Sequence, residues 1–492
     1  MSILKKIVSQ SAIYFVGTIF SVLVGFFFKV YISSLLGAQG LGLFTLGVSS
    51  ISIASIFLTW GYGNGLIRFI SKYSASKDYS RLYFYIKKTV IINLIMVAFL
   101  SSIYFVFPGF IAKYLLHSQE IAEYLPLFGI FLIISSFLSI GDQIIRGFQE
   151  VKKSTLVHHF IRLPFKVIIA VVLIGGYDLY GYIVAELLGG ALAIILLFFI
   201  IKKLLPSGHS FFKNKIRRSN LEEKKYAGNM LVIEVLGVLQ NHGEKIMLVY
   251  FLSASDLGIY SVVLSVVAFI PTILVSVNSI FSPIVSQFHE KNEMDKLSYY
   301  YKLSAKYIFI LTFPLIAFLA LYCKNVLQFF GPDFELGYPL LILVIIGELI
   351  NVSFGTVGSM LKMMGYDNKI KNISAVTSII TFVCAYFFIE LFGIIGIGFS
   401  YILKNILYNL WSSIVLYQKN KINIFDVNYF KSISLFFGAF TLCYFFLIFN
   451  NLSAIQIILG IGFYYAGFLL LWYAVLGKKE LPQIIELLKN DK

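Results

Sequence analysis

The stretch "VHHFIRLPFKV", residues 157–167, spaces His158, Arg162 and Lys166 four residues apart. On a helix that spacing puts all three on one face. Arg grips phosphate oxygens bidentately and Lys acts as a point charge, so such a stripe suits an anion. At 1.5 Å per residue, Lys166 lies about 18 Å into its segment, too deep to snorkel easily. A second polar stripe runs through "EVLGVLQNHGEK", with Glu234, Asn241 and Lys245 on one face and His242 and Glu244 just off it, Glu244 serving equally well as a local neutralising partner for Lys245. Lys29 interrupts the apolar run "GFFFKVYISSLL", and Glu186 is the acid of the N-terminal part best placed to titrate. Two acid–base pairs are expected as ion pairs: Glu348 with Lys404, at similar depth in their segments, and Asp142 with Arg146, four residues apart. Pairing against acids on other segments would also account for Arg162 and Lys166. An anion-binding wall is favoured because acids are few and the corresponding C-terminal stretch "NISAVTSIITFV" carries no charge.

The elements that must position these groups are membrane-spanning helices. The chain of 492 residues is 59% hydrophobic and 13% charged, against about 25% charged in soluble domains. Segments of about 20 mostly apolar residues, enough to cross a bilayer, fall at 9–33, 41–70, 88–108, 122–147, 154–176, 180–201, 227–252, 257–286, 303–323, 337–361, 370–390, 393–417, 432–449 and 454–476. The fold class is all-α and polytopic, with about 14 transmembrane helices. Threaded alternately from an inside N-terminus, the chain leaves only Lys113 and Lys324 in outside loops. That is the asymmetry of the positive-inside rule, and it puts both termini in the cytoplasm. The low charge and abundant Ile, Phe and Lys suit the cytoplasmic membrane of a bacterial or archaeal cell. The net charge of +16 therefore reports topology and contact with membrane lipids rather than nucleic acid. The first segment is too long for a signal-peptide core, and a second span follows at once, so it reads as an uncleaved span. Cys323, Cys384 and Cys443 fall in or beside apolar segments and suit packing, not a metal or disulfide framework.

The chain also repeats. At an offset of 216, "FFFKVYISSLLGAQGLGLF" lies over "HGEKIMLVYFLSASDLGIY", pairing Lys29 with Lys245, Ala38 with Ala254, Leu41 with Leu257 and Gly42 with Gly258. Six spans (N-lobe, 1–201), a basic linker (202–226) and six more spans (C-lobe, 227–417) precede an extra helix pair and tail (418–492). An even number of spans per unit makes the two lobes a parallel repeat, the organisation of some alternating-access transporters, with substrate between the lobes.

"LLGAQGLGLFTLGVSS", "GYGNGLIRFISKYSASKDYSRL" and "GEKIMLVYFLSASDLGIYSVV", with the order of spans, resemble the Wzx-type polysaccharide flippases of the multidrug/oligosaccharidyl-lipid/polysaccharide exporter superfamily. The extra pair is similar to the last two spans of lipid II flippases of the MurJ type, which shape a groove for the lipid tail. The resemblance implies movement of an undecaprenyl-pyrophosphate-linked oligosaccharide across the cytoplasmic membrane, with the polyprenyl-pyrophosphate glycolipid as substrate. Lys29, Arg162, Lys166, Lys245, Asn241 and His158 are the expected pyrophosphate and sugar contacts. Glu186, Glu234, Glu348 and Lys404 are expected as coupling groups or structural ion pairs. No cofactor or metal is expected beyond a coupling cation, H+ or Na+, or the membrane potential. A polysaccharide polymerase and chain-length proteins are the expected protein partners.

Two other classes compete. A multidrug/cation antiporter of the same superfamily would want acids in its cavity, and the cation excess argues against it. A multi-span ligase or polymerase would want a large external loop, and the outside loops are short. The sequence holds no G-x-x-x-x-G-K-[ST] phosphate loop and no H-E-x-x-H, so a transporter rather than an enzyme is expected. Pro164, Pro271 and Pro314 are expected to bend their spans, and "GYGNG" (61–65) to allow close packing.

Overall fold

The computed structural model describes residues 3–206, 220–238, 242–424 and 434. The described residues of the twelve spans predicted through residue 417 fall largely on helix. The last two, with Cys443 and most of the basic linker, lie outside the described residues. The helices are α1 Ile3–Ser55, α2 Tyr62–Ala75, α3 Tyr79–Val106, α4 Leu125–Gly147, α5 Leu163–Leu204, α6 Leu221–Val238, α7 Glu244–Phe251, α8 Ala254–Val267, α9 Phe269–Glu290, α10 Met294–Leu321, α11 Tyr338–Ser353, α12 Val357–Met363, α13 Asp367–Phe392 and α14 Ile394–Asn420.

Two helical runs are long enough for two crossings each: Ile13–Ser55 with 43 residues and Val151–Leu204 with 54. Each is interrupted once where two spans were expected to meet. In α1 the break is Gly37, with φ 65° and ψ −176°, a conformation only glycine reaches without strain. In α5 it is Asp178, with φ 43° and ψ −125°. The second predicted span is itself broken: α1 ends at Ser55 and α2 begins at Tyr62 after a turn over "IFLTWG". Its counterpart in the repeat breaks too, between α8 and α9, just before Pro271. A proline near a helix start is tolerated because its missing N–H would be unpaired there. Pro164 acts differently. Lacking an N–H, it cannot bond the carbonyl four residues back, and Leu156–Arg162 just before it winds as a π-helix. Pro314 sits inside α10.

Packing divides the chain into two compact units. One comprises Met1–Val266, Leu327–Leu340 and Ala375–Tyr401. Its cores join α2, α3 and α4 through Leu66, Phe69, Tyr85 and Ile144, and α4 to α5 through Leu138, Ala193 and Leu197. The other comprises Val267–Val326, Leu341–Ser374 and the described residues from Ile402, around Leu297, Tyr301, Val357, Met360 and Leu416. Large apolar side chains such as Phe99, Val172, Ile195 and Phe198 stand exposed, as lipid-facing residues do.

The repeat appears inside the first unit as reciprocal contacts. A Cβ added to Gly42 would lie 1.7 Å from the carbonyl oxygen of Ala254, and one added to Gly258 would lie 1.9 Å from that of Ala38. Each glycine thus meets the residue four before its own counterpart, the pattern of a two-fold axis. Close backbone approach through small residues is the usual way membrane helices associate. The Ser49 hydroxyl donates to the Thr45 carbonyl and the Ser265 hydroxyl to the Ser261 carbonyl, again at the same offset. Gly42→Val is therefore expected to separate α1 from α8, and Gly258→Val to do the same. Loss of the monodisperse peak in detergent gel filtration for both variants, with Gly25→Val as the control, checks it. Gly25 has open space where a Cβ would stand.

Candidate functional site

Lys29, Lys166 and Lys245 line one chamber of about 180 Å³ in the first unit, with Thr45, Ser49 and Tyr182. Lys29 comes from the first limb of α1, Lys166 from the start of α5 and Lys245 from the start of α7. The two halves of the repeat thus each contribute their equivalent lysine. Phe28, Ile32, Leu41, Phe44 and Val48 supply most of the remaining wall, so the charges sit in an apolar setting where they act strongly.

The three lysines are held differently. Lys166 Nζ lies 2.8 Å from Glu186 Oε1, and Arg162 lies 3.5 Å from the other oxygen of the same carboxylate. Contrary to the expectation that few acids were near, Glu186 serves both cations. The turn at Asp178 brings the two limbs of Val151–Leu204 together, close enough that a Cβ on Gly189 would lie 3.1 Å from Lys166 Cβ. One carboxylate against two cations leaves a net positive charge, and Arg162 is outside the chamber lining.

Lys29 Nζ donates to the Ser261 carbonyl at 2.7 Å and to the Ser265 hydroxyl at 2.8 Å, both on α8. The equivalent seat for Lys245 is the Thr45 carbonyl and the Ser49 hydroxyl. Lys245 does not occupy it. Ser49 Oγ instead faces His242 Nδ1 at 3.4 Å, and among the described residues Lys245 forms no ion pair or hydrogen bond. Its neighbour Glu244 is engaged by the Tyr260 hydroxyl at 3.0 Å. Two equivalent lysines therefore have unequal duties: Lys29 ties helices, and Lys245 presents its ammonium group to the chamber.

His158 leaves the stripe. It faces Asp142 at 3.7 Å, an acid that also pairs with Arg146 at 2.7 Å and accepts from the Ser154 hydroxyl. The π-helical winding of Leu156–Arg162 widens the turn, so the four-residue spacing no longer defines one face. Glu348 is buried in the second unit and accepts from Asn351 at 3.1 Å, which in turn accepts from Asn409 at 3.3 Å. Lys404 is half-buried on α14. Asn241 lies outside the described residues.

Glu234 lines a second, larger chamber of about 520 Å³ with Asn64, Asn93, Gln143 and His242. Asn64 donates to Glu234 Oε1 at 2.7 Å. Sequence reasoning missed this lining apart from Glu234 and His242. The available signal was Ser135, Ser139 and Gln143, spaced four apart on α4.

At the basic end of the unit, Arg68 and Lys72 of α2 hold Glu222 of α6 at 3.0 and 2.7 Å, and the Tyr73 hydroxyl donates to Glu223 at 2.6 Å. A Cβ on Gly61 would lie 2.0 Å from the Ala227 carbonyl oxygen, so "GYGNG" does allow close packing there. The hydrogen bond from Lys72 holds the Glu222 carboxyl below its ordinary range. A depressed carboxylate contributes above its unfolded pKa and loses that contribution as pH falls through the folded value. The α2–α6 tie is thus expected to hold at neutral pH and loosen below the ordinary glutamate range. Hydrogen exchange of residues 221–226 at pH 7 and at low pH measures it. Glu222→Gln, at an exposed pair, is expected to cost little stability.

Residues 7–289 match the family model described as polysaccharide biosynthesis protein, and residues 245–415 match the MatE model. An uncharacterized membrane protein of Methanocaldococcus jannaschii is 24% identical over 373 residues, 72% of this chain and 73% of that protein. Among solved structures, lipid II flippase MurJ in an inward closed conformation is similar with a TM-score of 0.72 at 16% identity, over 94% of this chain and 99% of that one. An inward-facing multidrug resistance MATE family transporter is similar at 0.65 and 16% identity, over 82% of this chain and 96% of that one. At such identities the likeness is one of fold: a multi-pass helical membrane protein.

Proposed function

This chain belongs to the polysaccharide biosynthesis protein family, and from that premise we propose that it is a flippase for an undecaprenyl-pyrophosphate-linked oligosaccharide. The observation that carries the reading is the convergence of Lys29, Lys166 and Lys245 on one chamber. Sugars and a pyrophosphate cannot cross hydrocarbon unaided, and an anionic headgroup needs cations where water is excluded. Lys245, free of any protein acceptor among the described residues, makes the first contact with the pyrophosphate. Lys166 and Arg162, sharing Glu186, add a net positive field. The polyprenyl chain stays in lipid, and the two six-span lobes exchange between inward- and outward-open states.

The proposed direction is from the cytoplasmic to the outer leaflet of the cytoplasmic membrane, with both termini inside. Outward movement of an anion down an inside-negative potential gains about 2.3 kcal/mol per charge per 100 mV. That makes the membrane potential the simplest driving force, alone or with an H+ or Na+ gradient. A polysaccharide polymerase and chain-length proteins would take the product onward.

Two related cargoes are the alternatives. A lipid II flippase would present the same pyrophosphate to the same lysines, and the fold likeness to MurJ favours it as much. An exporter of cationic compounds would use Glu234, which has no Lys or Arg against it among the described residues of its chamber, and the MatE match speaks for that class. Deleting the gene in its host separates the three. Cytoplasm-facing polyprenyl-pyrophosphate oligosaccharide should accumulate. Accumulated lipid II instead indicates the second cargo, and altered drug sensitivity with no accumulation sinks the flippase reading.

A further inference from the structure

The larger chamber holds a set of groups that the anion pathway does not use. Val48 lines both chambers, and Ser49 of the lysine chamber faces His242 of the larger one at 3.4 Å. The two are neighbours, but their chemistry differs. Among the described residues no Lys or Arg lines the larger chamber, where amides, hydroxyls, the His242 ring and the single carboxylate of Glu234 alternate with apolar side chains such as Val48, Ile51 and Phe131. A phosphate would find no permanent cation there. A hydrocarbon tail would strand the amides, each lost hydrogen bond costing about 1–3 kcal/mol. A metal ion would find one acid, and among the described residues no group of three His, Cys, Asp or Glu side chains could hold one.

Two groups wait for donors. Gln143 Oε1 is buried and has no hydrogen-bond partner among the described residues, although Gln143 Nε2 donates to Ser139 at 3.2 Å. Glu234 receives the Asn64 amide on Oε1, and its other oxygen has no partner among the described residues. Asn93 is already closed on Ser136 at 2.8 Å and serves as rigid wall. A ligand that matches is dense in neutral hydroxyl and amide groups. A volume of about 520 Å³ falls within the range of small-molecule sites, about 300–1,000 Å³.

We propose that this chamber is the carbohydrate subsite, taking the neutral or acetamido sugar joined directly to the pyrophosphate, with Gln143 and Glu234 accepting its hydroxyl or amide protons. The inference rests on the flippase reading and adds the sugar class. Glu234 also sets a limit. A uronic or sialic acid carboxylate beside it would place two like charges side by side in one cavity, which disfavours ionisation of both. The site therefore selects against an acidic first sugar.

The test uses the purified full-length protein in nanodiscs and three soluble probes read by calorimetry. These are a short-chain prenyl pyrophosphate without sugar, the same lipid carrying N-acetylglucosamine, and the same lipid carrying glucuronic acid. The acetamido sugar is expected to tighten binding about tenfold over the bare lipid, equivalent to one or two new hydrogen bonds, and glucuronic acid to give no gain. In Gln143→Leu the acetamido-to-bare ratio should fall towards one, and in Glu234→Gln the glucuronate-to-bare ratio should rise. Equal affinity of wild-type protein for bare and acetamido lipids overturns the subsite while leaving the flippase reading in place. Glucuronate binding as tight as N-acetylglucosamine overturns the selection by Glu234. Failure of every prenyl pyrophosphate to bind overturns the flippase reading and this inference with it.

Discussion

Lys245→Met is expected to abolish transport and at the same time to raise the melting temperature of the purified protein. Lys245 is a half-buried cation with no hydrogen bond or ion pair among the described residues. It shares its chamber with the like charges of Lys29 and Lys166. Its sequence neighbour Glu244 is held by the Tyr260 hydroxyl instead, and taking an ammonium group out of water with no direct carboxylate contact is costly, so an apolar replacement of similar shape relieves the fold. Function pays for that relief, since the same ammonium group is the one free to meet the substrate anion. Such a trade of activity against stability is common at binding sites. Lys29→Met is expected to move stability the other way. It removes two hydrogen bonds from a charged donor to Ser261 and Ser265, each worth about 1.5–3 kcal/mol, and unties α1 from α8. Thermal unfolding of the two variants beside wild type decides the matter. Equal destabilisation by both would show that Lys245 is also a structural tie.

The second large effect belongs to Glu186. Glu186→Gln leaves Lys166 and Arg162 without their shared carboxylate, and the side chain of Glu186 is only 8% exposed. Removing one partner of a buried pair costs about 3–5 kcal/mol because the other charge stays buried and unmet. The variant is expected to lose most of its folded yield. Adding Lys166→Met should restore much of it, since one cation is then gone and Arg162 is the more exposed of the two. Transport would stay low in the double variant. Membrane levels and detergent-solubilised melting curves for the single and double variants measure the coupling. A stable Glu186→Gln protein would mean that the carboxylate is not what holds the two cations.

The sequence carried the architecture well and the site unevenly. Span positions follow from hydropathy, and the break in α1 falls at Gly37, whose backbone freedom explains it, whereas Asp178, at φ 43° and ψ −125°, gives no such signal. The offset of 216 was readable in part because Gly42 and Gly258 must stay small for the α1–α8 contact, so both copies carry glycine there. The same constraint brought Lys29 and Lys245 forward as a pair, and they do line one chamber. What the sequence hid were contacts made by turns and altered winding. Glu186 stands twenty residues from Lys166 along the chain, and nothing in that spacing shows that Asp178 folds one onto the other. His158 satisfies the four-residue rule yet faces Asp142, because the winding before Pro164 is not α-helical. The amide and hydroxyl wall around Glu234 was missed for a simpler reason. Ser, Asn and Gln are common enough in membrane helices that only their shared face on α4 sets them apart.

The most direct measurement is made in proteoliposomes carrying a fluorescent polyprenyl-pyrophosphate disaccharide, with a membrane-impermeant quencher reporting the fraction in the outer leaflet. The account predicts rapid exchange for wild-type protein, competition by inorganic pyrophosphate, and exchange at the protein-free rate for Lys245→Met. Exchange by Lys245→Met at the wild-type rate, or equally fast exchange of an uncharged glycolipid with the same sugars, would contradict it.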